Sequence, residues 1–203
     1  MRNRPLRQVK KWLLRFRARH FLDFVFIHIN KTAGTSIAHA LHIPMEHRTA
    51  LEKRTELGAR EWERRFSFAI VRNPWDRVVS HYHYRVKTDQ TGLERNPVPF
   101  KEWVRLSYGE HAPEYYDNPR MFSPQWDWVV DEQGVQLVNF VGRFERLDED
   151  FETICARIHK RAALPHVKKS NRGDYRRYYD DATTEIVRRA FEPDIARFGY
   201  TFD

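Results

Sequence analysis

The chain has 203 residues, 41% hydrophobic and 14% aromatic, which is enough apolar material for a sizeable core and excludes a disordered chain. Its formal charge of +8 is concentrated: Arg2, Arg4, Arg7, Lys10, Lys11, Arg15, Arg17 and Arg19 carry all of it with no acidic residue among them, and residues 21–203 sum to zero. A globular part without net charge excludes wholesale nucleic-acid binding as a default, and a single cysteine, Cys155, excludes an intrachain disulfide and fits a reducing, cytoplasmic setting.

Residues 1–22 read as a basic segment apart from a single domain over 23–203. Val9, Trp12, Leu13 and Phe16 recur at i, i+3, i+4, i+7, which predicts a helix with an apolar stripe among the arginines. Two uses stay open for it. The segment lies on an anionic membrane surface or holds a polyanionic acceptor, or it packs on the domain with its charges solvated. No stretch has the apolar length of a bilayer span, and the start lacks a secretory signal pattern.

The run Phe24-Val25-Phe26-Ile27 has the content of a buried parallel strand, and Ile37, Ala40 and Leu41 then share one helical face. Between them, His28-Ile29-Asn30-Lys31-Thr32-Ala33-Gly34-Thr35-Ser36 makes a strand-to-helix loop suited to an oxyanion. Gly34 admits close backbone approach, the helix start adds partial positive charge, and Lys31 adds a full one. The plain alternative is an ordinary connection in which Thr35 or Ser36 caps the helix. A Walker-type loop sets its Lys directly after the last Gly, whereas Lys31 precedes Gly34, so a nucleotide kinase or triphosphatase is disfavoured.

Thr49 followed by Glu52 is a capping-box signature, placing His47 just before a helix N-terminus. An imidazole kept neutral there can accept a proton as a general base, although in a chain with ten histidines a surface role is the default. The run 66–71 predicts a second strand, followed by Asn73 as cap, Pro74 at the first helical position and Asp76 in the first turn. Trp75, Val78, Val79 and Tyr82 form the buried stripe of that helix, with Arg77 and Ser80 on its other side. Arg72 ends the strand, where open α/β sheets bind ligands and a guanidinium can clamp a phosphate. For Arg77 a structural ion pair is favoured.

Together, the loop His-Ile-x-Lys-Thr-x-Gly-Thr-Ser and the later Arg-Asn-Pro-x-x-Arg-x-x-Ser resemble the sulfotransferases that use 3′-phosphoadenosine 5′-phosphosulfate, in their carbohydrate branch. The resemblance covers residues 24–203. It implies an α/β, P-loop-like three-layer fold with a central, mainly parallel sheet flanked by helices. It implies that Lys31, Thr32, Ala33, Gly34, Thr35 and Ser36 hold the 5′-phosphosulfate, and that Arg72 and Ser80 hold the 3′-phosphate. His47, in His-Arg-Thr-Ala, matches the family's catalytic base for an acceptor hydroxyl, with Lys31 at the bridging oxygen. The implied acceptor is a carbohydrate or glycoconjugate, and the implied product is adenosine 3′,5′-bisphosphate. Asn30 stands where the family usually has Pro, which removes a rigid φ.

Residues 87–134 are broken by Gly92 and several prolines. Their aromatics, with Arg120, Ser123 and Gln125, suit either a sugar platform or a local core, the second being the default. Residues 135–144 predict a third strand, with Gly142 easing close packing and Asp148 capping the following helix. A terminal packing helix is expected to kink at Pro193. In the resembling enzymes the loop around 166–175 folds over the nucleotide, which makes Lys169 and Ser170 further phosphate contacts. No metal-ligand spacing occurs: His39/His42 and His81/His83 lack additional ligands. The remaining alternative is a non-catalytic polyanion-binding module, and nothing in the sequence speaks to oligomeric state.

Overall fold

In the computed structural model the described residues are 4–165 and 173–203. In chain order their helices and strands are α1 (Arg4–Phe21), β1 (Phe24–Ile27), α2 (Gly34–Ala40), α3 (Ala50–Leu57), α4 (Ala59–Arg64), β2 (Phe66–Val71), α5 (Pro74–Lys87), α6 (Phe100–Val104), α7 (Pro119–Phe122), β3 (Phe140–Arg143), α8 (Leu147–Arg157), α9 (Asp181–Ala190) and α10 (Glu192–Phe198). The chain forms two compact units: Met1–Val71 with Trp128–Val167, and Arg72–Asp127 with Lys168–Asp203.

The first unit is α/β. Its parallel sheet has the order β1-β2-β3, with Phe24 opposite Phe66 and Phe68 opposite Phe140. The strands are near-continuous apolar runs because both faces are covered. Leu22, Ile37, Leu41, Phe151 and Ile154 pack with Phe24, Phe68 and Ile70 into one core, so α2 and α8 flank the sheet as a P-loop-like fold requires. Gly142 permits this packing: a Cβ there would lie 2.7 Å from Ile70 Cδ1. At α3 the expected capping box is present, with Thr49 and Glu52 each accepting the other's backbone N–H.

The third strand is shorter than the sequence suggests. Asp131 Oδ1 accepts the N–H groups of Gln133 and Val135, and Leu137 N–H bonds back to Val129. This turn consumes the residues before Asn139, leaving only Phe140–Arg143 for β3. Arg146, not Asp148, is the N-cap of α8; Asp148 sits in its first turn, where an acid favours the helix dipole.

The second unit is built on α5, begun as expected by Asn73, whose side chain accepts from Trp75 and Asp76 N–H, with Pro74 following. Trp75, Val78, Val79, Phe100, Trp103, Tyr108, Phe122, Val187 and Phe191 form its core. The aromatics of 87–134 in this unit are therefore mostly core. His81 bonds Tyr108 and His83 bonds Tyr178, which are packing roles. Arg77 does not lie on an open face: it is fully buried, donates to the Ser123 and Met121 carbonyls, and stacks on Phe191. Instead of one kinked terminal helix there are two, because Pro193 falls in the first turn of α10, where its missing N–H costs nothing.

Candidate active site

At the C-terminal end of β1 the chain turns through residues 28–33 into α2. Lys31 and Ala33 take left-handed backbone angles, φ 67° and 64°, which non-glycine residues seldom adopt. Left-handed residues in such a turn aim successive N–H groups to one side, the geometry of an anion-binding nest. Neither Thr35 nor Ser36 caps α2; the cap is Ala33, with no side-chain bond. The first helical bonds run from Ser36 and Ile37 N–H to Ala33 carbonyl, so the N–H groups of Gly34 and Thr35 have no acceptor within the helix. Thr32 is buried and its hydroxyl donates to Ile29 carbonyl at 3.0 Å, which braces the loop. Lys31 and Ser36 are half-buried and Thr35 is exposed.

Beneath this loop sits His28, a residue to which the motifs assigned no function. Its ring fills the space beside Gly34 so closely that a Cβ there would lie 1.9 Å from His28 Cδ2. Glycine is therefore required by the neighbouring ring, not by a special φ. Burial, then His47, then Lys31, push the His28 imidazole down to about 3, and its buried Nδ1 has no hydrogen-bond partner. His28 is thus neutral across the physiological range, in contact electrostatically with both Lys31 and His47.

His47 is exposed, and its Nδ1 lies 2.9 Å from the backbone oxygen of His28. A carbonyl oxygen only accepts, so Nδ1 carries the proton and Nε2 of the neutral ring carries the lone pair. The two imidazole centroids are 4.4 Å apart, and Trp128 stands edge-on to His47 at 6.2 Å. The candidate base is thereby tethered to the root of the candidate anion loop. A cavity of about 500 Å³ has His47 on its wall together with Arg15, Glu46, Arg48, Lys53 and Arg65. Burial raises the Glu46 carboxyl, but hydrogen bonds from Lys53 and Arg15 outweigh it and hold it below its ordinary range. The lining combines these charged groups with apolar side chains such as Leu22, Phe24, Ile43 and Met45.

In the second unit Arg72 is buried, and its Nε and Nη2 hold Asp76 Oδ2 at 2.8 and 2.6 Å. Its backbone is clamped from both sides: Arg72 N–H donates to Gln125 Oε1, and Gln125 Nε2 donates to Arg72 carbonyl. Gln125 also donates to the buried Asp194, which accepts Trp126 N–H as well. Burial raises the Asp194 carboxyl, and the Gln125 N–H and nearby Arg77 oppose that rise. Gln125 is therefore a buried clamp rather than part of a sugar platform. Ser80 is half-buried and lies one turn beyond Asp76 on the same face of α5. Lys169 and Ser170 lie outside the described residues.

The structure gathers Lys31, Thr32, Ala33, Gly34, Thr35, Ser36 and His47 in the first unit, and Arg72 and Ser80 in the second. Sequence reasoning gave no role to His28 or Asp194, took Asp76 only as a first-turn acid and set Gln125 in a sugar platform or local core. Gln125 and Asp194 act across 53 and 69 residues, so no local pattern reveals them.

A model of the sulfotransferase family matches residues 14–201. An uncharacterized protein of Archaeoglobus fulgidus is 28% identical over 112 residues, which is 55% of this chain and 79% of that protein. No solved structure matches the chain.

Proposed function

The chain belongs to the sulfotransferase family, and from that premise we propose that it moves a sulfuryl group from 3′-phosphoadenosine 5′-phosphosulfate to a hydroxyl of a carbohydrate or glycoconjugate. The observation that carries this reading is the bond from His47 Nδ1 to the carbonyl at the root of the left-handed loop holding Lys31. It couples a base with a defined tautomer to a cradle for an anion.

The fit of the donor rests on residues already described. The N–H groups of the Lys31–Thr35 turn and the Ser36 hydroxyl would hold the 5′-phosphosulfate, and Arg72 with Ser80 would hold the 3′-phosphate. When bound, the donor supplies the sulfuryl group and departs as adenosine 3′,5′-bisphosphate. His47 Nε2 takes the proton of the acceptor hydroxyl as its oxygen attacks sulfur from the side opposite the leaving group. Lys31 meets the negative charge that grows on the departing phosphate oxygen, the point at which a fixed cation is worth most to the rate. Burial holds the His28 imidazole so far below its ordinary range that it is too weak a base to compete with His47 for that proton. The cavity beside His47 supports a polar acceptor, since Arg48, Lys53 and Glu46 offer donors and acceptors to sugar hydroxyls.

The test is transfer of radiolabelled sulfate from the donor to a panel of polysaccharides and glycolipids. Label moving to a carbohydrate, and lost in His47→Ala, is the expected result. A folded enzyme that labels none of them but labels protein or phenolic acceptors would overturn the carbohydrate assignment.

A further inference from the structure

The stripe on α1 is not used by the fold. Val9, Trp12, Leu13 and Phe16 are 55, 60, 52 and 44% exposed, and Phe21, in the last turn, is 69% exposed. The helix is nevertheless anchored. At about 3.6 residues per turn Ala18 lies opposite Val9, and Ala18 packs with Leu22 into the core of the first unit. Arg65 donates to the carbonyls of Ala18 and Arg19, Arg17 donates to the His42 carbonyl, and Arg15 pairs with Glu46. The Arg65 bonds satisfy carbonyls in the last turn of the helix, and all these contacts together fix its inner side. The outer side is left as an apolar strip in which Trp12 and Phe16 stack at 5.4 Å, and at its end Phe16 meets His20 at 4.6 Å and Phe21 at 6.1 Å.

Basic side chains border that strip, Lys10 along one edge and Arg19 along the other, with no acid on the helix; Arg17, on the Lys10 edge, is engaged by the His42 carbonyl. We propose that this face of α1 seats the protein on an anionic bilayer surface, with the aromatic strip in the acyl boundary and the basic borders at the headgroups. The pattern is that of an interfacial helix: apolar and aromatic on one side, cationic at the edges, and too polar to insert. Among the described residues no helix is long and apolar enough to cross a membrane. Charge decides between occupants. A second copy of α1 would set one all-basic helix against another, whereas residues 1–20 carry the chain's entire formal charge of +8 and suit an anionic surface. A soluble polyanion would engage the cations but leave the Trp12–Phe16 strip in water. The inference goes beyond the proposed sulfuryl transfer and does not depend on it.

The experiment is cosedimentation of the full chain with vesicles of phosphatidylcholine, with and without phosphatidylglycerol. The expected result is binding to the phosphatidylglycerol vesicles only, weakened by added salt. Trp12→Ser with Phe16→Ser should reduce binding more than tenfold with an unchanged melting temperature, because both side chains are exposed. Lys10→Gln should reduce it about fivefold, the worth of one basic residue at an anionic surface. No cosedimentation of folded protein, equal binding by the double variant, or a dimer in solution that the double variant abolishes would each overturn the proposal.

Discussion

His28 makes the stability of the first unit sensitive to mild acid. Its imidazole is held at about 3 in the folded chain against an ordinary value of 6.5, chiefly by burial. The folded state refuses a proton that the unfolded state takes up below about 6.5. Stability therefore falls as pH falls through this window, by about 1.4 kcal/mol per unit once the unfolded side chain is protonated. Between pH 7 and pH 5 the loss from this one group is about 2 kcal/mol, about a 25-fold shift in the folding equilibrium. Carboxylates that partners hold low, such as Glu46 and Asp180, do not interfere, because their contributions are lost mainly at more acid pH. Asp127 and Asp194 are raised, mainly by burial, and act in the opposite direction, so the comparison with a variant isolates His28. The assay is urea unfolding by tryptophan fluorescence at pH 7, 6 and 5 for wild type and His28→Asn. The variant should be less stable at pH 7 and lose about 2 kcal/mol less between pH 7 and 5. Equal losses in the two proteins would refute the buried neutral imidazole.

Four substitutions probe the site from other directions. Gly34→Ala drives a Cβ into the His28 ring and should cost about 1–3 kcal/mol of stability despite the better helix propensity of Ala. His28→Ala combined with Gly34→Ala should be more stable than the sum of the two losses, a coupling read by a double-mutant cycle. Gln125→Ala strands the backbone N–H and carbonyl of Arg72 and should weaken adenosine 3′,5′-bisphosphate binding about tenfold or more. An unaltered dissociation constant there would show that the clamp is structural only. His47→Ala should lower kcat by about 10²–10⁴ with bisphosphate affinity preserved, and a matching fall in affinity would instead place His47 in the donor site.

The strands at 24–27 and 66–71 were legible because both are apolar runs bounded by polar turns, and the cap residues Thr49, Asn73 and Pro74 signal their helices through local bonding. The turn at Asp131 that shortens β3 was not legible, since the strand's start is set by Asn139 pairing with Ser67, 72 residues away, as well as by the Asp131 side chain accepting two backbone N–H groups. In the candidate site, Lys31 and Gly34 were visible as residue types in a spacing. The reason for Gly34 was not visible, because it lies in the ring of His28. The burial of Arg77 escaped helical periodicity because carbonyls from a segment more than 40 residues away receive its guanidinium. The stripe of α1 was plain in the sequence; only its exposure required the fold.

The proposed donor is tested most directly by calorimetric titration of adenosine 3′,5′-bisphosphate into the purified chain, beside ATP with magnesium. The expected result is saturable binding of the bisphosphate, weakened at least tenfold in both Lys31→Ala and Arg72→Ala. No binding by folded protein, or preference for ATP with magnesium, would contradict the proposed use of a sulfuryl donor.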